Sequence, residues 1–435
     1  MSLFQSKKPI PGVLTSKTTK ASIFSGRHWK NLTMIKAVLV DLDDTLLINA
    51  DKVFVPEYLR LIDAFIEERW QYPQISNVLR QYIQAAAGLR DPRQSISDLA
   101  ESVIAAATGR SSDEIRTTFA DFYAHVYPQL QDCIEKVPLA PRLIDALQRR
   151  EYAVVIATNP LYPAEAIRQR LAWAGLPDDL TQYALVTHSE NMHFTKPDPA
   201  YYAEIIARVG VEPDEALMIG DNIDNDIEPA AKLGLYTYLI CPTPAVPSPQ
   251  PASYTGTLDD FFARVTRQDW PSDFAHRIPG PQAIEPQLRG NMGALAGLLT
   301  NVAPQHWLQH PDPDEWSIME IVCHLLQSET TVQLPRLQRI LAEDNPFLSP
   351  PRQPPGPGEV PSCYEDGYQA ADRFIQCRQE TIQWLAQLQP QDWHRPARHS
   401  IFGPTTLLEM AHFTAQHDRL HLNQLCQTLG RCQEK

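Results

Sequence analysis

Four groups of side chains in this sequence could handle a phosphoryl group. The motif DLDDT, Asp41 to Thr45, follows the apolar run IKAVLV. A carboxylate at Asp41 can attack phosphorus and carry the phosphoryl group covalently, which splits one hard displacement into two easier ones. Asp43 can protonate a leaving alkoxide and later deprotonate the attacking water. Thr158 and Asn159 stand at the end of YAVVIAT, where a hydroxyl can bind a phosphoryl oxygen. Lys196, in TKPDP, can neutralise both nucleophile and phosphate. In GDNIDND, Asp221 and Asp226 follow the run ALMI, and acidic oxygens there suit Mg²⁺, a hard octahedral cation that keeps some of its waters. Taken singly each signal is weak, because acids after strands often cap helices and an isolated lysine is usually a surface residue. Together, in this order and with three of them closing apolar runs, they define one site. Asp44 reads as a bystander.

A second group consists of histidines. The stretch TTLLEMAHFTAQHDRLHLNQL puts His417 and His421 four residues apart, on one helix face. His412 lies well round the same helix, outside that pair. An earlier helical stretch, SIMEIVCHLLQSE, carries His324 about two turns in. Three neutral imidazoles from two helices can bind a divalent transition metal (zinc, nickel, iron or manganese) and leave positions for water or substrate. Ser317 with Glu320, and Thr406 with Glu409, fit capping boxes at the starts of these helices. Trp316 and Trp393 read as packing residues.

These residues need elements to hold them. IKAVLV reads as a buried parallel strand, and strand patterns return at 152–158, 183–188, 216–220 and 235–240, separated by helix-like segments. Such alternation predicts an α/β fold, a doubly wound parallel sheet with helices on both faces. Residues of about 50–148 carry long helix-period stretches and predict a helical cap over the carboxyl ends of the strands. The first region is expected to span 34–268 and to be followed by a linker over 269–283. Beyond it no strand-like alternation is seen. Four amphipathic stretches, roughly 284–303, 317–343, 363–388 and 406–429, predict an all-α four-helix bundle over 284–430.

A length of 435 residues suggests two cores, and 43% hydrophobic with 21% charged residues is ordinary for a globular chain. The net charge of −14 argues against nucleic acid and anionic membrane as partners. No apolar run approaches the roughly 18 residues of a membrane span. Seven scattered cysteines without a C-x-x-C pair argue against a disulfide framework or structural zinc and for a reducing, cytoplasmic setting. Residues 1–33 have five lysines and one arginine but no acid, a composition shared with transit peptides. With no apolar secretory core and Met34 directly before the first strand, they read as a disordered basic tail or as sequence upstream of the true start.

The order D-x-D-x-T, Thr, Lys-Pro, G-D-x-x-x-x-D resembles the haloacid dehalogenase-like superfamily over about 35–268, and the helical block resembles its first cap type. The resemblance implies that Asp41 is the nucleophile and Asp43 the acid/base. It implies Mg²⁺ on the Asp41 carboxylate, the Asp43 backbone carbonyl and Asp221, with Asp226 supporting the metal shell. Thr158 and Lys196 would bind the phosphoryl group, with Asn159 beside them. An acid at Asp43 together with Thr45 favours a phosphatase over the dehalogenase and mutase branches. The segments WSIMEIVCHL and GPTTLLEMAHFTAQHDRLHLNQL resemble the DinB-like four-helix bundles over about 284–430, and that resemblance implies a metal on His324, His417 and His421.

The expected function is therefore Mg²⁺-dependent hydrolysis of a small phosphorylated metabolite, joined to a metal-binding bundle. One alternative places the principal activity in the bundle, as a metal-dependent thiol transferase. Another is a non-catalytic protein that recognises a phosphorylated ligand, with the bundle mediating a homodimer.

Overall fold

The run that ends at Asp41 forms β1 (Ala37–Val40), whose four residues are all buried. It pairs in parallel with β4 (Ala153–Ile156) on one side and β6 (Ala216–Gly220) on the other. This computed structural model describes residues 35–49, 53–89, 91–241, 252–267, 270, 279–349, 356–359, 363–364 and 366–433. The basic segment 1–33, most of the expected linker 269–283 and much of the two Pro-rich stretches lie outside the described residues.

The sheet is completed by β5 (Leu185–Val186), β7 (Tyr236–Ile240) and β8 (Tyr254–Gly256). Among the described residues its order is β5-β4-β1-β6-β7-β8, with every pairing parallel. The predicted doubly wound sheet is thus present, with β8 added at its edge. That three-residue strand follows a Pro-rich stretch and has no run long enough to show a period. The central strands are apolar on both faces because helices cover both. Val38, Val40, Leu217 and Ile219 share one core with Leu143 and Leu147 from one helix and Phe261 from another.

Between β2 (Leu47–Asn49) and β3 (Ile134–Lys136), which pair antiparallel, the chain forms the cap. Its helices are α1 (Phe54–Trp70), α2 (Ile75–Gly88), α3 (Ile96–Thr108) and α4 (Ser112–His125). Ser95 and Asp98 make a complete capping box at the start of α3, and the Ser111 hydroxyl accepts from the Glu114 N–H at the start of α4. An aromatic core fills the cap: Tyr58, Phe122 and Tyr127 meet edge to face, and Tyr127 stacks on Trp173 at 5.4 Å. The next helix, α5 (Ala140–Arg149), falls inside the span expected for the cap but packs on the sheet. Its period matches that of the cap helices, so sequence alone could not assign it.

Three more helices belong to the sheet region, α6 (Ala164–Trp173), α8 (Glu228–Leu233) and α9 (Leu258–Thr266), while α7 (Pro199–Val209) starts there and from Ala203 on falls in the second compact unit. By its internal contacts the chain divides into two compact units, one of which comprises Met34–Tyr202 and Pro213–Ala275.

The other unit holds the predicted bundle. Its helices are α10 (Ile284–Leu299), α11 (Ile318–Ser328), α12 (Leu334–Ala342), α13 (Gly367–Leu385) and α14 (Leu407–Gln433). One wide π turn, Glu329–Gln333, joins α11 to α12, so the two act as one broken bundle helix. The cause is local: Pro335 has no N–H to donate and its ring crowds the carbonyl four residues back, which a widened turn relieves. Ser317 and Glu320 form the expected capping box, and Thr406 and Glu409 exchange the corresponding hydrogen bonds at 3.0 and 3.3 Å.

Two expectations for this unit fail. A small sheet is present, with β9 (Phe347–Leu348) parallel and β11 (Gly403–Thr406) antiparallel to β10 (Pro396–His399). These strands are too short for alternation to show, and Pro396, Gly403 and Pro404 read as turn residues. Cys323 and Cys363 also form a disulfide, with Cα atoms 5.6 Å apart across a separation of 40 residues. Chain folding sets that pairing, and cysteine spacing does not reveal it. This one bridge runs against the expected reducing setting. No helix among the described residues is long and apolar enough to cross a membrane.

Gly367 opens α13 against the buried indole of Trp307, and a Cβ there would run into the ring. Alanine in place of a helical glycine usually gains roughly 0.5–1 kcal/mol. Here Gly367→Ala is expected to destabilise by about 1–3 kcal/mol through overpacking, read from the urea unfolding midpoint.

Candidate functional site

Parallel register brings the motifs together. Val40, Ile156 and Ile219 are aligned across β4, β1 and β6, so the residues that follow these strands emerge side by side. Asp41 follows β1, Thr158 follows β4 and Asp221 follows β6. The Asp41 N–H donates to Ile219 O at 2.9 Å, which pins the first motif to the third strand.

Lys196 is the centre of the group. Its ammonium donates to Asp41 Oδ1 at 2.5 Å and to Asp226 Oδ1 at 2.6 Å, and all three residues are buried. Asp226 is fixed further by the Asn222 N–H at 3.1 Å and the Tyr202 hydroxyl at 3.4 Å. Gly220 makes room for it, since a Cβ at that position would collide with the Asp226 carboxylate. Thr45 donates to Asp221 Oδ1 at 3.4 Å. Oxygens of Asp41, Asp221 and Asp226 all lie within 4.8 Å of one another.

Such crowding has an electrostatic signature. Burial pushes the Asp41 carboxyl up to about 7, Lys196 pulls it down, and the Asp226 and Asp221 charges push it up again. Burial and the Asp226 charge raise Asp221 to about 6. Burial opposes the charged form of Lys196, but Asp226 and Asp41 outweigh it and hold the ammonium well above its ordinary range. Three carboxylates around one lysine leave a surplus of negative charge on hard oxygen donors. That donor set fits Mg²⁺, with Asp41, Asp221 and Asp226 as the available carboxylates.

Asp43 lies beside this group, half-buried. Its Oδ2 accepts from the Thr158 hydroxyl at 3.4 Å and its Oδ1 from the Asn49 amide at 3.3 Å. The Thr158 carbonyl is itself held by the Thr187 hydroxyl at 2.6 Å and the Tyr201 hydroxyl at 2.8 Å. Asn159 is next in line, and its Oδ1 is buried without a hydrogen-bond partner, an acceptor left for a ligand or water. Asp44 points elsewhere, accepting from the Asn49 N–H at 2.9 Å.

Sequence reading missed Arg170. Its guanidinium, fully buried, donates through Nη2 to Asp43 Oδ1 and to Asn49 Oδ1. The same group lies 4.5 Å over the Phe54 ring of the cap. Burial lowers it to about 9, against the pull of the Asp41 charge. A cation on the apolar face of α6, flanked by Ile167, Leu171 and Trp173, was the available signal.

In the bundle, His324 on α11 meets His417 and His421 on α14. Their ring centroids are 5.4, 4.5 and 4.6 Å apart for 324–417, 324–421 and 417–421, and one ligand nitrogen from each lies within 4.8 Å of the others. Burial lowers His324 to about 4 and His417 to about 3, with His324 adding to the effect on His417, and it holds His421 well below the ordinary range. The rings are therefore neutral and ready to donate lone pairs, a set that fits a divalent transition metal. His412 stands apart, its Nε2 2.8 Å from Pro279 O. Trp316 stacks on His421 at 5.9 Å, while Trp393 is buried in the core.

Comparison with known proteins agrees with both halves. Residues 35–234 match the family model of haloacid dehalogenase-like hydrolases, and residues 287–425 match the model of the DinB superfamily. The chain joins a haloacid dehalogenase-like hydrolase region to a DinB-superfamily region. A phosphoglycolate phosphatase of Rhodospirillum rubrum is 28% identical over 248 residues, covering 54% of this chain and 91% of that protein. A glyceraldehyde 3-phosphate phosphatase of Methanopyrus kandleri is 28% identical over 223 residues, 48% of this chain and 84% of the relative. An N-acetylmuramic acid 6-phosphate phosphatase of Pseudomonas aeruginosa is 29% identical over 214 residues, 47% and 80% of the two chains.

Replacing Lys196 by Met leaves buried carboxylates without their cation. The expected destabilisation of the metal-free protein is about 3–5 kcal/mol near pH 8. It should shrink as pH falls below about 7, where Asp41 takes up a proton in the folded state and no longer needs the lysine. Urea unfolding at the two pH values checks this.

Proposed function

We propose that the chain hydrolyses a small phosphate monoester at Asp41 through an aspartyl-phosphate, with Mg²⁺ as cofactor. The observation that carries the reading is the convergence of Asp41, Lys196, Asp221 and Asp226 at the ends of parallel strands, with Asp43 beside them. In the first step an Asp41 oxygen forms a bond to phosphorus as the ester P–O bond breaks. Asp43 gives its proton to the departing alkoxide. In the second step Asp43 takes a proton from water, which attacks phosphorus and releases Asp41 and phosphate. Lys196 keeps Asp41 oriented and offsets charge as it builds on the phosphoryl oxygens. Thr158 and Asn159 offer a hydroxyl and an amide to those oxygens. Bound Mg²⁺, on Asp41, Asp221 and the Asp43 carbonyl with Asp226 in support, would polarise the phosphoryl group. Arg170 ties Asp43 to Asn49 and to the cap, so the acid/base is positioned from the cap side.

The three relatives act on small phosphomonoesters by name, which supports a small phosphorylated metabolite as substrate. The neutral histidine trio supports a second divalent metal in the bundle on His324, His417 and His421.

Phosphate release is the test, from a panel holding phosphoglycolate, glyceraldehyde 3-phosphate and N-acetylmuramic acid 6-phosphate. Turnover should require Mg²⁺ and fall to background in Asp41→Asn. No turnover on any ester by folded, Mg²⁺-loaded protein would sink the reading. Mg²⁺ affinity has a signed pH dependence. Protons compete for Asp41 at about 7 and Asp221 at about 6, so calorimetric affinity should weaken as pH falls from about 8 to about 6.

A further inference from the structure

Three neutral imidazoles bring no charge to an ion, and a dication in a largely buried site needs compensating anions. The bundle core contains them. Glu329 sits in the π turn, Arg378 on α13 and Asp418 on α14, with exposures of 1%, 1% and 2%. A single nitrogen, Arg378 Nη2, lies 3.0 Å from Glu329 Oε2 and 3.0 Å from Asp418 Oδ1. With both acids ionised the trio carries one surplus negative charge. Arg419, the other cation that acts on Asp418, is itself paired with Glu212, and the remaining polar neighbours are neutral. Glu329 Oε1 accepts the Thr381 hydroxyl, and Asn291 Nδ2 donates toward Asp418 Oδ2 at 3.4 Å. Glu329 Oε2 has no aligned hydrogen bond, and Arg378 Nε and Nη1 have no acceptor.

A buried carboxylate in excess is costly unless a second cation stands near it. Asp418 stands beside the histidines, where the positive charges of Arg378 and Arg336 also reach His417. Asp418 Oδ1 is 3.9 Å from His417 Nδ1, and that nitrogen has no hydrogen-bond partner. A small shift of either side chain would let a ring N–H donate to Asp418, as metal-ligating histidines commonly do to a carboxylate.

We propose that Glu329 and Asp418, held on Arg378, supply the counter-charge for a divalent metal on His324, His417 and His421, with Asp418 orienting the His417 ring. This rests on the reading that the three histidines hold a metal, and it adds the residues that make a dication tolerable there. The consequence has a sign that a purely structural role lacks. Removing one negative charge weakens the metal but relieves the metal-free core.

Glu329→Gln is the test variant, since the amide keeps an oxygen for Arg378 and offers an N–H to the Thr381 hydroxyl oxygen. Zinc is titrated against a chromogenic chelator into full-length metal-free protein, with excess Mg²⁺ to saturate the acidic cluster of the other unit. Thermal unfolding of the metal-free form is measured in parallel, with Asp418→Asn as the second variant. The zinc dissociation constant should rise about 10–100-fold in both. The metal-free melting temperature of Glu329→Gln should stay level or rise. Unchanged zinc affinity in both variants overturns the proposal, as does a metal-free melting temperature that drops together with affinity. Wild-type protein that binds no zinc, or His417→Ala that binds it equally well, defeats the histidine reading itself and the proposal with it.

Discussion

The ammonium of Lys196, almost sealed from solvent, lies between the carboxylates of Asp41 and Asp226, and the first unit's site is arranged around that contact. Carboxylates brought this close repel one another, and in a low-dielectric setting the repulsion is large. Without an internal cation the strand ends could not present them together at neutral pH. Much of the surrounding detail follows from holding this group still. Gly220 leaves space for Asp226, and the Asn222 N–H and Tyr202 hydroxyl fix its orientation. The lysine offsets one negative charge and leaves the rest. What remains is a fixed carboxylate beside a surplus of hard oxygen atoms.

The bundle repeats this device with different parts. One guanidinium, Arg378, stands between two buried acids, and again negative charge is left over close to a cluster of potential ligands. The route to it is local. Pro335 forces a wide turn into the second bundle helix, and the widened segment holds Glu329 and Gln333 in the core. π turns of this kind frequently accompany functional sites. Both units thus combine incompletely neutralised acids with side chains whose pKa values have moved, and such groups commonly mark functional sites.

Much of this was legible in the sequence because strands in a parallel sheet are short, apolar and easily read. IKAVLV, YAVVIAT and ALMIG showed where three strands end, and Asp41, Thr158 and Asp221 were found at those ends. The histidines at 324, 417 and 421 were legible through helical spacing and do converge. Other features carried no local signal. β8 and the strands around His399 are too short to have a period. The partner of Cys323 is 40 residues away. Arg170 looks like just one of the two arginines on its helix until Asp43 and Asn49 are found against it. Helix α5 has the same amphipathic period as the cap helices, yet its apolar face meets the sheet.

By itself, then, the sequence determined which residues can do chemistry and on which elements they ride. Those properties depend on residue type and on the periods of strand and helix, both of which are local. Only the tertiary structure decided which charges are buried together, which cation serves which acid, and which donors are left without partners. Ion pairing and desolvation depend on distances of a few ångström between residues far apart in the chain. Lys196 reaches Asp41 across 155 positions and Arg170 reaches Asp43 across 127. No spacing rule contains those contacts, because it is the packing of the whole core that brings them within range.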